Sequence, residues 1–139
     1  MHTEIEVAHK RIANYIRTTP VIHLEPDAWR MQARIVLKLE QLQHTGSFKT
    51  RGAFNRILLN EVPDAGVIAA SGGNHGIAVA YVARRLGYRA EIFVPEVCSR
   101  VKVERLRSSG VSDRSYLCRG TCGESGAGSS NRGTDGACL

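Results

Sequence analysis

Between residues 34 and 106 short apolar runs alternate with amphipathic stretches, and this alternation limits the possible folds more than any other feature of the chain. Arg34 to Glu40 (RIVLKLE), Gly66 to Ala70 (GVIAA) and Ala90 to Val94 (AEIFV) are rich in branched apolar side chains and bounded by turn residues. They are too short for helices and read as strands. Between them, Phe48, Arg51, Phe54, Ile57 and Leu58 fall at helical spacing and end near Pro63. From His75 to Leu86 the apolar positions Ile77, Ala78, Tyr81, Val82 and Leu86 do the same, with Gly87 as the stop. Val101 to Leu106 begins a further amphipathic helix. Strands separated by single helices predict βαβ units, hence an α/β fold with a parallel sheet and flanking helices.

The pattern has a beginning and an end. Thr3-Glu4-Ile5-Glu6 has the form of a capping box, and Ile5, Ala8, Ile12 and Ile16 follow at helical spacing before Pro20. After Gly110 the composition shifts to Gly, Ser, Arg, Thr and Cys, and no period survives. Residues 1–110 therefore read as the folded part and 111–139 as a tail that buries too little to offset its ordering entropy. Two readings of the tail are open, a flexible extension or a stretch translated out of frame. Three cysteines in so short a segment favour the second.

Charge and cysteine content narrow the partners. The chain has 19 Lys and Arg against 13 Asp and Glu, a net +6, and the whole excess lies before Gly110. Such a balance suits an anionic small molecule, and no aromatic-and-basic cluster points to nucleic acid. No apolar run reaches the ~18 residues a membrane-spanning helix needs. The acidic opening MHTEIEVAHK lacks the apolar core of a signal peptide, so the expected compartment is the cytoplasm. Cys118 and Cys122 could form half a metal site, but nothing nearby completes it, so no metal is expected.

Two loops sit where ligands bind in such sheets, past strand ends and at helix starts. The first runs from Gln43 to Ala53 and places Lys49 in a first helical turn, directly after Phe48. Helix-terminal dipoles and Arg51 are expected to disfavour the charged form of Lys49, the expectation for a nucleophilic amine able to condense with an aldehyde. A solvated surface lysine is the plain alternative. A phosphate-binding loop is excluded, because Phe48 precedes the lysine and the glycine spacing is wrong. The second loop, Ser71-Gly72-Gly73-Asn74-His75-Gly76, offers close backbone approach and unpaired N–H groups to an anion, with Asn74 as both donor and acceptor. An ordinary capped turn is its plain alternative.

Together these segments resemble the fold-type II (tryptophan synthase β-like) pyridoxal-phosphate enzymes, most closely the serine/threonine dehydratases, or ammonia-lyases. The matching residues are Thr19-Pro20, Lys38-Leu39-Glu40, Gly46 to Ala53, Ser71 to Gly76 and Val101 to Glu104. Their order and spacing agree over roughly residues 4–110. The resemblance implies pyridoxal 5′-phosphate bound to Lys49 as a Schiff base, Phe48 beside the pyridine ring and Asn74 at the cofactor's 3′-oxygen. It places the substrate carboxylate on the Ser71, Gly72, Gly73, Asn74 and His75 backbone. The implied reaction deaminates L-threonine or L-serine to 2-oxobutyrate or pyruvate and ammonia, with Lys49 as the base at the α-carbon. A homo-oligomer is implied for intact members.

The departures from the family are as specific as the matches. Serine racemases of this fold carry a second serine where this chain has Gly72, so elimination is expected rather than racemisation. Arg100 stands where a proline is expected. The family's glycine-rich loop for the cofactor phosphate would lie beyond residue 139, and Gly123 to Gly128 does not match it. The expectation is a C-terminally truncated member that is weakly active or inactive alone. Another fold-type II amino-acid lyase, or a non-catalytic fragment that binds a paralogous partner, are the rival readings.

Overall fold

The computed structural model describes residues 2–26, 28–30 and 32–95, together with 101, 104, 106, 108, 117–118 and 137–138. Helix α1 spans His2–Ile12 and continues into a 3₁₀ turn, Ala13–Tyr15. It already includes His2, so Thr3 lies inside the first turn rather than capping it. Ile16 has extended backbone, and the helical spacing read through it ends at Ile12.

Strands β1 (Val21–His23) and β2 (Val36–Lys38) pair antiparallel, Val21 opposite Lys38 and His23 opposite Val36. The strand expected at 34–40 thus exists, but in a separate two-stranded ribbon rather than in the parallel sheet. Its partner β1 carries no strand-length apolar run, which is why the sequence does not announce it.

Helix α2 is Lys49–Leu59, strand β3 Val67–Ala70, helix α3 Asn74–Leu86 and strand β4 Ala90–Pro95. β3 and β4 are parallel, with Ala69 opposite Ile92, as the βαβ pattern requires. The two-residue strands β5 (Leu117–Cys118) and β6 (Ala137–Cys138) flank them, also parallel, in the order β5-β4-β3-β6. Of the expected last helix, Val101, Glu104, Leu106 and Ser108 are helical and Leu106 is buried. Its other residues lie outside those described, as does most of the tail.

The core explains the order of the layers. Val67, Ala69, Ile92 and Val94 are buried while their neighbours Ile68, Ala70, Glu91 and Phe93 are less so, the two-residue period of a strand. α3 lies against both strands and against α2. Seven of its residues, from Gly76 through Ala83, are buried, and most are small. α2 contributes Ala53, Phe54 and Ile57, and α1 contributes Ile12. Phe54 stacks on Tyr15 at 5.1 Å between centroids and meets Tyr81 edge-on at 6.3 Å, so one ring joins the 3₁₀ turn after α1 to α2 and α3. Phe48 departs from the helical reading. It is 59% exposed and stays out of this core.

Two glycines have structural reasons. Gly87 takes φ 81°, its N–H reaches Arg84 O and the Tyr88 N–H reaches Ala83 O, a Schellman closure of α3. At Gly76 a Cβ would fall on Ser71 O and press Ile92 Cγ2, so the start of α3 lies directly on the end of β3. Gly52, in α2, faces open space. The same substitution should therefore have opposite signs at the two helical sites. Gly52→Ala is expected to raise stability by about 0.5–1 kcal/mol through helix propensity. Gly76→Ala is expected to lower it by roughly 1–3 kcal/mol through overpacking. Urea unfolding of the two variants checks this, and a Gly76→Ala protein as stable as its parent would contradict the close approach.

Candidate functional site

Both loops singled out in the sequence open helices that pack on each other, Lys49 as the first residue of α2 and Asn74 as the first of α3. Ahead of α2, 3₁₀ turns occupy Glu40–Leu42 and His44–Gly46. Thr45 and Gly46 have φ 64° and 71°. A β-branched residue in that region costs on the order of 1–3 kcal/mol. Its hydroxyl lies 2.8 Å from Thr50 Oγ1, and Thr50 donates in turn to His44 O. Thr50 is fully buried. The turn before the lysine is thus tied to the residue after it.

Lys49 is exposed, and its Nζ lies 5.2 Å from the centroid of the Phe48 ring, a cation–π distance. Phe48 occupies the position before the helix and no side chain caps that end. Ser47 Oγ is buried and has no hydrogen-bond partner among the described residues. His44 stacks on Tyr81 of α3 at 5.2 Å, which joins the first loop to the second helix. Burial, and then Arg17 and Arg85, hold His44 below the usual histidine range.

The second loop follows β3 without a break in pairing, as Ser71 N–H donates to Phe93 O. Ser71 Oγ accepts from the Gly73 N–H at 3.2 Å. Gly73 precedes the helix with extended backbone and supplies no side-chain cap. Asn74 is exposed, and Ser71, Gly72, Gly73 and His75 are half-buried. A helix start without a side-chain cap, past the carboxyl end of a parallel strand, is a site for an anion.

The pairing of Arg51 with Glu40 and Thr19 beneath α2 is not evident in the sequence. Arg51 Nε and Nη2 donate to Glu40 Oε2 and Oε1, each at 2.7 Å, and Thr19 Oγ1 donates to Glu40 Oε1. The cation expected to bear on Lys49, Arg51, is paired with the Glu40 carboxylate. Buried Gln43 bonds both the N–H and the C=O of Arg17 at 2.9 Å. A glutamate closing a strand and an arginine opening the next helix were the available signal, but the sequence does not show which partner each takes.

Phe48, Glu40, Arg51, Gly52 and residues of α1 line a groove of about 470 Å³, to which Lys49 and the 71–75 loop do not contribute. Among the described residues no cluster of His, Cys, Asp or Glu is arranged to hold a metal, and no helix is long and apolar enough to cross a membrane.

An exposed amine opens one helix and a helix start without a side-chain cap opens its neighbour, within one α/β domain. The family model for pyridoxal-phosphate dependent enzymes matches residues 12–128, and the chain belongs to that family. It is 37% identical over 112 residues to the biosynthetic L-threonine dehydratase of Staphylococcus epidermidis, covering 79% of this chain and 26% of that one. With the catabolic L-threonine dehydratase of Staphylococcus aureus it shares 41% over 112 residues, 77% of this chain and 32% of the relative. The chain thus spans between a quarter and a third of the length of these relatives.

Among solved structures, the T.th. threonine deaminase superposes with a TM-score of 0.70 at 37% identity, over 86% of this chain and 37% of that one. The serine racemase of Dictyostelium discoideum gives 0.73 at 34%, over 84% and 38%. Pyridoxal phosphate is the family's cofactor, and the residues present fit it. Lys49 offers a primary amine to an aldehyde beside an exposed ring, and Asn74 offers an exposed amide at a helix start without a side-chain cap.

The paired arginine and the Thr19 hydroxyl hold the Glu40 carboxyl at about 2, down from 4.5, the Arg51 hydrogen bonds being the largest cause. A depressed carboxylate contributes its full stability above the unfolded value and loses it as pH falls from about 4.5 through about 2. With both side chains partly exposed the pair is screened, and its worth is on the order of 2 kcal/mol. Glu40→Gln should lower stability by about that much at neutral pH. The gap to the parent should close near pH 2, as urea titrations at the two pH values would show.

Proposed function

We propose that this chain carries the cofactor-holding lysine and the substrate-carboxylate loop of a pyridoxal-phosphate-dependent serine/threonine dehydratase. The observation that carries this reading is Lys49 as the first residue of α2 beside the exposed Phe48 ring. The likeness to two threonine dehydratases and a threonine deaminase supports it.

In this reading Lys49 holds the cofactor through Nζ, Phe48 flanks its ring, and Asn74 bonds its 3′-oxygen. When bound, the cofactor supplies an electron sink for the charge left at a deprotonated α-carbon. The Ser71, Gly72, Gly73, Asn74 and His75 backbone holds the substrate carboxylate at the start of α3. That contact would fix the α-carbon while the Lys49 amine, freed once the substrate's own amine has taken its place, takes the α-proton. The β-hydroxyl leaves as water, and one water returns when ammonia is released. The balance is threonine to 2-oxobutyrate and ammonia, or serine to pyruvate and ammonia.

The racemase likeness supplies a second reading, and Gly72 argues against it. A glycine has no side chain to deliver a proton to the opposite face of the α-carbon.

The test is pyridoxal phosphate followed by borohydride, with peptide mapping, beside an assay for keto acid. Label concentrated on Lys49 and lost in Lys49→Ala is the expected result. Label spread evenly over the surface lysines would overturn the assignment. D-serine formed from L-serine without pyruvate would favour the racemase reading.

A further inference from the structure

We propose that Glu40 is a positioning residue for Lys49: by gripping Arg51 with both carboxylate oxygens, it sets the rotation of the first turn of α2 and thereby the direction in which Lys49 leaves the helix. The inference rests on the reading of Lys49 given above.

The geometry of an α-helix supplies the lever. Residues two apart differ by about 200° around the axis, so Lys49 and Arg51 leave α2 on nearly opposite sides. A fork closed on Arg51 therefore aims Lys49 the other way. The guanidinium is planar and meets the carboxylate through two bonds of 2.7 Å, which restrains rotation where a single bond to a lysine would not. Glu40 Oε1 also accepts from Thr19, so neither carboxylate oxygen is left to turn freely.

The anchor is itself held. Glu40 follows β2, and the ribbon continues past β1 through the Leu39 N–H to Pro20 O at 2.9 Å. Lys38 Nζ reaches Thr19 O at 3.1 Å, and Gln43 clamps the Arg17 backbone from the other side. Arg51 Nη2 lies 3.4 Å from both Arg17 O and Thr19 Oγ1. Thr19, Lys38, Leu39, Glu40 and Arg51, scattered along the sequence, thus converge on one joint between the ribbon and α2. The Thr50 bond to His44 O ties the same turn to the preceding loop. Lys49 immediately precedes the two tethered residues, Thr50 and Arg51.

The experiment measures the rate of borohydride-fixed pyridoxylation of Lys49 relative to exposed Lys10 in the same chain, which cancels reagent effects. Unfolding midpoints are recorded in parallel. Glu40→Ala and Glu40→Asp, the latter keeping the charge but shortening the reach, are expected to lower the Lys49 to Lys10 ratio about tenfold in folded protein. Arg51→Lys should lower it severalfold. A ratio unchanged in variants that lose stability would make the fork purely structural and overturn the proposal. Should Glu40→Ala leave the chain unfolded, Glu40→Gln decides on the same two outcomes, since it keeps the side chain's volume and one acceptor. Absence of preferential Lys49 labelling in the parent would instead remove the functional reading beneath it.

Discussion

Burial of α3 governs how everything else in the molecule is arranged. A helix pressed between a second helix and a parallel sheet must be apolar around most of its circumference, and Gly76, Ala78, Ala80 and Ala83 keep it narrow enough to fit. The close contact of Gly76 with Ser71 O is where this packing reaches the chemistry. It brings the helix start to the strand end, so the N–H groups of the first turn lie at the mouth of the loop. Close packing and the position of the helix start beside the strand end both depend on the same absent Cβ.

The second helix is placed by a different kind of force. Its inner face is held by Phe54 and Ile57 against α3, while its start is held by polar bonds to the ribbon and the preceding loop. Apolar contacts alone leave a helix able to rotate and slide by small amounts, because they lack direction. A bidentate carboxylate–guanidinium pair and a buried threonine have direction. In the proposed reading, a lysine that meets an aldehyde within bonding distance needs that kind of restraint more than it needs added stability. The left-handed backbone at Thr45 fits the same picture, since strain beside a reactive group persists only where neighbours hold it.

The elements legible from the sequence were those whose signal is local. α2, β3, α3 and β4 follow from periods of 3.6 and 2 and from Gly87. The two loops follow from glycines and polar residues placed between periodic segments. Two of the misreadings share one physical source. Phe48 fits a helical stripe yet is exposed, because it lies before the first turn of α2 and outside the core that turn builds. Thr3 has the composition of a cap yet lies within a helix that already includes His2. In both cases the residue type was right for the pattern, and its place relative to the helix boundary was not.

The α/β class, the order of the main elements, and the lysine and glycine loops that mark the family were all written in the order of residues. They rest on positions at most a few apart, so a chain read from end to end displays them. Three-dimensional packing was needed to show that β2 pairs with β1 rather than joining the sheet, and that Glu40 grips Arg51 and Thr19 across separations of 11 and 21 residues. Each of these is a choice among many polar or extended partners of similar intrinsic preference. The choice falls to whichever partner the packing of α1, α2 and α3 brings within reach.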